Sequence, residues 1–217
     1  MQLKGKKVLF LGDSITEGVG VSSPDKKYTS VFERLSGAIV YNYGISGTRI
    51  ATQKNPTVTN PRFDLTFGSR VQDMNPEGDI IVVFGGTNDY GHGDASIGVF
   101  SDRDEYSFYG ALHNLIVSLV SKYPDATVVF MTPLHRDFEN ETKSLQRGFK
   151  PVLKEYVKAI REVCEYYSIP VLDLYASSGL QPAIPVIKQK FMPDGLHPSD
   201  AGAEIIAQRL YGFLNAL

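Results

Sequence analysis

The sequence predicts an α/β protein, a three-layer α/β/α sandwich over a parallel sheet. Three observations carry that prediction. Five short apolar runs alternate with helical patterns, which implies βαβ units joined by right-handed crossovers. Those runs are apolar throughout, as strands covered on both faces are. The polar and glycine-rich residues gather in the segments after the runs, 12–18, 44–62, 85–104, 132–148 and 176–197. In an open α/β sheet that edge is where ligands bind.

The elements follow in order. Val8-Leu9-Phe10-Leu11 is a buried strand that breaks into Gly12-Asp13-Ser14. Tyr28–Leu35 carries a helical face through Tyr28, Val31, Phe32 and Leu35. Ile39-Val40-Tyr41-Asn42-Tyr43 is a second strand, ended by Gly44-Ile45-Ser46-Gly47. Asn55-Pro56 and Asn60-Pro61 break the polar stretch that follows. Phe63–Met74 reads as a helix interrupted by Gly68. Asp79–Phe84 is the clearest strand and runs into Gly85-Gly86-Thr87-Asn88-Asp89. A Gly-rich, mobile loop is expected over Tyr90–Asp104, then a helix over Glu105–Lys122. Thr127–Met131 is the fourth strand, and Thr132–Gly148 reads as a polar loop. A helix over Lys150–Tyr167 precedes the last strand, Ile169–Leu174. Asp194-Gly195-Leu196-His197-Pro198 then opens a terminal helix capped by Ser199 or Asp200.

The 217 residues show no linker, repeat or low-complexity tract, which predicts one domain over 1–217. A chain of that size buries roughly 70% of its unfolded surface and needs no staples. Net charge is −2, without the basic excess of a nucleic-acid binder. Cys164 is alone, so no internal disulfide forms, and its helical setting predicts a packed, inert thiol. Only a short apolar run follows the basic Lys4–Lys7 segment, too short for a signal peptide. No stretch approaches the ~20 apolar residues of a membrane span. The expected location is therefore cytoplasmic, with no membrane or nucleic-acid partner. With 12 Tyr, 12 Phe and no Trp, core packing is the default use of the aromatics, and a homo-oligomer stays open.

Ser14 is a candidate nucleophile, and a serine hydroxyl needs a base to take its proton. Of the four histidines, His113 lies inside a long helix and reads as packing or surface. His92 sits between two glycines, a poor place for a precisely held base. His135, beside Arg136 after the fourth strand, is a candidate substrate contact. His197 alone has a carboxylate close by, Asp194, in a frame stiffened by Pro193 and Pro198. That carboxylate can reach Nδ1, fix the tautomer and leave Nε2 for serine. Acyl transfer also needs donors aimed at the developing oxyanion. The Ser14 and Gly47 backbone N–H groups and the Asn88 amide are candidates, although Gly47 and Asn88 also suit plain turns. Asp13 and Asp89 read as loop braces.

Gly12-Asp13-Ser14-Ile15-Thr16, Gly44-Ile45-Ser46-Gly47, Gly85-Gly86-Thr87-Asn88-Asp89 and Asp194-Gly195-Leu196-His197-Pro198 together resemble the four motif blocks of the SGNH-hydrolase superfamily, the GDSL-type lipases and acylhydrolases. The blocks occur in order and span nearly the whole chain. Ile15 stands where the eponymous motif has Leu. The resemblance implies a flavodoxin-like fold with five parallel strands ordered 2-1-3-4-5. It implies Ser14 as nucleophile, His197 as base, Asp194 as its orienter, and an oxyanion hole from Ser14, Gly47 and Asn88. The Gly-x-Ser-x-Gly elbow of α/β-hydrolases is absent.

The expected reaction is hydrolysis of a carboxylic ester through an acyl-enzyme, with no cofactor and no metal. A polar rim is expected from Thr48, Arg49, Asn55, Arg70, His92, His135, Arg136, Gln146 and Arg147, with Tyr90, Phe138 and Phe149 as stacking or groove-lining aromatics. It favours a short acyl group, such as acetyl, on a carbohydrate or other polar alcohol. The alternatives are a lysophospholipase or thioesterase-type acylhydrolase and, in another class, a non-catalytic flavodoxin-like binding module. The module reading leaves the Asp194–His197 pair unexplained.

Overall fold

Alternating side chains of the central strands enter two separate cores, and this is why their sequences are apolar at every position. The computed structural model describes residues 2–145 and 148–217. The strands are β1 (Lys7–Gly12), β2 (Ile39–Gly44), β3 (Ile80–Phe84), β4 (Thr127–Met131), β5 (Lys143–Leu145), β6 (Gly148–Lys150) and β7 (Val171–Leu172). The helices are α1 (Ser14–Glu17), α2 (Tyr28–Ser36), α3 (Phe67–Arg70), α4 (Thr87–Gly91), α5 (Phe108–Lys122), α6 (Leu153–Tyr166), α7 (Leu174–Ser177), α8 (Pro185–Phe191) and α9 (Asp200–Ala216).

The main sheet runs β2-β1-β3-β4-β7 with all pairings parallel, the 2-1-3-4-5 order of the SGNH-hydrolase fold. Leu9, Leu11, Ile81, Val83 and Phe130 join the core beneath α5 and α6. Val8, Phe10, Ile80, Val82 and Val129 join the opposite core with α2 and α9. Phe10 meets Tyr28 and Phe32 edge-on at centroid distances of 5.6 Å each. Burying one such ring contributes ~2–3 kcal/mol, and truncating it to Ala costs about 3–5 kcal/mol.

Five elements differ from the sequence reading. The helix expected over 63–74 is three short pieces, with α3 between single 3₁₀ turns at Pro61–Asp64 and Val71–Asp73. Leu65 leaves helical geometry at ψ 85°, and Thr66 restarts the chain by accepting from the Ser69 N–H at 3.1 Å. The last strand shrinks to β7, because Pro170 has no N–H to donate and Asp173 turns away to cap α7. The segment expected as a mobile loop, Tyr90–Asp104, takes in the last two residues of α4, and the polar loop after β4 contains β5. The helix α8 precedes the Asp194 turn with no strong amphipathic pattern to announce it. The terminal helix α9 is capped by Ser199, whose hydroxyl accepts from the Gly202 N–H at 3.4 Å; Asp200 instead holds Ser22.

The strand order reverses around β1. The chain goes from β1 outward to β2 and returns to β3 on the other side. The ends of β1 and β3 therefore flank the crevice of an open α/β sheet, and they carry Ser14 and Asn88.

Candidate active site

Ser14 starts α1 directly after β1 and is buried. The strand can turn this sharply because Gly12 lacks a side chain. A Cβ there would lie 2.0 Å from Thr16 Oγ1 and 3.1 Å from the Phe84 carbonyl. Asp13 caps the one-turn helix, its carboxylate accepting from the Ile15 N–H at 3.0 Å.

His197 reaches this serine from 183 residues away, with Nε2 3.0 Å from Ser14 Oγ. Its Nδ1 lies 2.6 Å from Asp194 Oδ2. The other oxygen of Asp194 accepts from the backbone N–H groups of Leu196 at 2.9 Å and His197 at 2.7 Å. Burial pushes the Asp194 carboxyl up, but these hydrogen bonds together outweigh it and hold the group below its ordinary value. An ionised Asp194 facing Nδ1 keeps that proton in place and leaves Nε2 toward the hydroxyl. The loop is braced from outside: the Asp137 N–H donates to the Gly195 carbonyl at 2.8 Å, and Asp137 pairs with Lys188.

Gly47 and Asn88 stand on opposite sides of Ser14 in the sheet order, yet they meet through Thr48. The Asn88 side-chain amide donates to the Thr48 carbonyl at 3.0 Å, which leaves its second N–H for another acceptor. Gly47 has φ +77°, and a Cβ there would sit 2.4 Å from the Phe63 ring, so only glycine fits. The Ser14 and Gly47 N–H groups donate to no protein acceptor among the described residues.

The remaining candidates are held by hydrogen bonds to neighbouring loops. Asp89 is buried and accepts from Ile50 N at 3.0 Å and Ala51 N at 2.9 Å. Arg49 is buried, bonded to Asp64 at 2.8 Å and to His92 Nδ1 at 3.1 Å. Arg136 donates to the Thr87 carbonyl and hydroxyl at 3.1 Å each. His135 is held by Glu139 at 2.8 Å and stacks on Tyr175. His113 is buried between the Phe100 carbonyl and Tyr167, the packing role its helix suggested.

The expected polar rim is therefore only partly available. Thr48, Arg49 and Arg70 are buried, because their side chains donate to backbone carbonyls and loop side chains. Tyr90 is buried too. Gln146 and Arg147 lie outside the described residues, and of the Phe149 side chain nothing is described. Glu17 escaped the sequence reading, although it lies three residues after Ser14 on one turn of helix. Among the described residues no cluster of three or more His, Cys, Asp or Glu is arranged to hold a metal ion, and no helix is long and apolar enough to cross a membrane.

Residues 10–205 match the model of the GDSL-like lipase/acylhydrolase family. One solved structure is 35% identical over 100% of this chain and 99% of its own, with a TM-score of 0.85. A protein from Lactobacillus plantarum is 29% identical, covering 99% of this chain and 98% of its own, with a TM-score of 0.83. A lipase/acylhydrolase from Enterococcus faecalis shares the fold at 21% identity, covering 97% of this chain and 96% of its own, with a TM-score of 0.63. No curated protein matches the chain. With its fold, its four motif blocks and a family match over most of its length, the chain belongs to the GDSL-like lipase/acylhydrolase family and is a carboxylic ester hydrolase.

Proposed function

We propose that the chain hydrolyses short-acyl esters, such as acetyl esters of a carbohydrate or other polar alcohol, through a Ser14–His197–Asp194 triad. The observation that supports it is the continuous hydrogen-bonded series Asp194 Oδ2–His197 Nδ1 at 2.6 Å and His197 Nε2–Ser14 Oγ at 3.0 Å. Ser14 Oγ attacks the ester carbonyl carbon while His197 Nε2 takes the hydroxyl proton. The carbonyl oxygen gains the negative charge and accepts from Ser14 N–H, Gly47 N–H and the free N–H of Asn88 Nδ2. Each such donor is typically worth about 3–4 kcal/mol to the transition state. Collapse expels the alcohol, which leaves with the proton from His197. Water then gives a proton to His197 and attacks the acyl-enzyme, releasing the acid and restoring Ser14.

A second reading, a longer-chain acylhydrolase of the lysophospholipase or thioesterase type, draws on one observation. Thr48, Arg49 and Arg70 are withdrawn from the rim, while Phe138, Ile184 and Val186, in segments attached to the His197 loop, are exposed.

Ser14→Ala tests the mechanism: hydrolysis of p-nitrophenyl acetate is lost, along with labelling by a fluorophosphonate. Wild-type turnover in this variant would sink the triad. A chain-length series of p-nitrophenyl esters, run beside acetylated xylan, separates the two substrate readings. Falling kcat/KM beyond a few carbons, with acetate released from xylan, supports the first.

A further inference from the structure

The geometry points to Glu17 and Arg70 as positioning residues that lock the two backbone oxyanion donors, Ser14 N–H and Gly47 N–H, into one rigid frame. The inference rests on the oxyanion reading above and adds what holds that hole to shape. The two donors lie on different loops, after β1 and after β2, whose strands stay paired as far as Gly12 and Gly44 with the Ile45 N–H on the Gly12 carbonyl at 3.1 Å; beyond that point side-chain contacts hold their separation.

Two clamps cross the gap. Glu17 lies on α1, the helix that Ser14 begins. Its Oε2 accepts the Ser46 backbone N–H at 2.6 Å and also the Ser46 hydroxyl. Its Oε1 accepts from Arg62 Nη2 at 2.6 Å, which fixes the carboxylate from the far side. Ser46 is the residue before Gly47, so the Gly47 peptide is tied to α1.

Arg70 forms the other clamp. Its Nη2 donates to the Gly12 carbonyl at 3.1 Å and to Thr48 Oγ1 at 3.1 Å. Its Nη1 donates to the Tyr43 carbonyl at 2.5 Å, and its Nε to the Thr66 carbonyl at 3.3 Å. One planar guanidinium thus joins the residue two before Ser14 to the residue after Gly47, a span that a point-like ammonium cannot cover with fixed geometry. Thr48 completes the frame, because its carbonyl also carries the Asn88 amide.

Burial pulls the Arg70 guanidinium down to about 10, so it remains a cation at neutral pH. Its hydrogen-bond partners are the Gly12, Tyr43 and Thr66 carbonyls and the Thr48 hydroxyl, and none is a carboxylate. Burying a cation with no carboxylate in hydrogen-bond reach is costly, and the Asp13 carboxyl favours the cation only through its longer-range charge. Stored at the joint between the donor-bearing loops, that cost is explained by the rigidity it maintains there.

The test uses the full chain and p-nitrophenyl acetate, with active sites counted by fluorophosphonate labelling run to completion. Counting sites separates a misfolded fraction from a slower site. Glu17 is partly exposed, so Glu17→Ala leaves no core cavity, and Thr48→Val removes the hydroxyl that Arg70 grips while keeping the side chain's shape. In each, kcat per labelled site falls about tenfold with KM within about twofold, short of the roughly 10²-fold or larger loss expected on deleting a donor outright. Glu17→Gln keeps an oxygen for the Ser46 N–H and recovers most of the rate. Wild-type kcat per site in both Glu17→Ala and Thr48→Val, or a Glu17→Gln as slow as Glu17→Ala, overturns the inference. Ser14→Ala separates the levels: if it is inactive while those variants are normal, only the clamp is wrong. If Ser14→Ala is itself active, the oxyanion reading fails and the clamp with it.

Discussion

Asp194 binds His197 twice, through the ring Nδ1 at 2.6 Å and through the backbone N–H at 2.7 Å. The two carboxylate oxygens divide the work. Oδ1 shapes the turn, and Oδ2 holds the imidazole. Asp194→Asn should therefore preserve the turn, since an amide oxygen still accepts the two backbone N–H groups. It should damage catalysis, because the amide gives Nδ1 no anionic partner and favours the wrong tautomer. We expect kcat for p-nitrophenyl acetate to fall by about 10²–10⁴-fold while Tm changes little. A comparable fall in Tm would move Asp194 from catalysis to folding.

Asp13 makes stability depend on pH in an unusual direction. Burial raises its carboxyl to about 7, and the nearby Asp89 adds to this, against the Ile15 N–H and the Arg70 and Arg136 cations. An unfolded Asp titrates near ~3.9. Between those values the folded state holds a proton that the unfolded state has released. The protonated carboxyl's contribution is fully present below the unfolded value and is lost as pH rises through about 7. Asp13→Asn stays neutral and still accepts from Ile15, so it should gain on wild type as pH rises. We expect its Tm relative to wild type to rise by about 5–10 °C between pH 4.5 and pH 8, measured by calorimetry. A constant difference would show that Asp13 titrates normally.

Phe138 holds φ +62° with its side chain 70% exposed. A bulky residue pays roughly 1–2 kcal/mol for left-handed geometry, and here it recovers little from burial. The backbone is held in place by Tyr90, which donates to the Phe138 carbonyl, and by the Glu141 N–H on the same oxygen at 3.1 Å. Phe138→Gly should melt at or above the wild-type temperature, and Phe138→Val a few degrees below it. A glycine variant that melts below the valine one would mean that the ring is packed in solution.

The four motif blocks, the parallel α/β class and the triad candidates were legible in the sequence for local reasons, while the strand order followed from the family resemblance. Strands that are apolar at every position declare burial on both faces, as Phe10 and Leu11 do by entering opposite cores. Asp194 and His197 are three residues apart, so their pairing is a property of one turn. These features depend on near neighbours in the chain, and a linear reading finds them.

What only the tertiary structure decided depends on residues far apart in sequence. Arg49, Arg70 and Thr48 read as rim residues because they are polar and follow a strand. Their burial follows from carbonyls and carboxylates supplied by other loops, such as Gly12 and Tyr43 for Arg70 and Asp64 for Arg49. The 3.0 Å approach of His197 to Ser14 needs the whole sheet to bring positions 183 residues apart to one edge. Glu17 is silent in sequence because its partner, Ser46, lies on the neighbouring strand's loop. Residue type and spacing therefore pointed to the chemistry, while long-range hydrogen bonding decided which polar side chains are buried as parts of the frame.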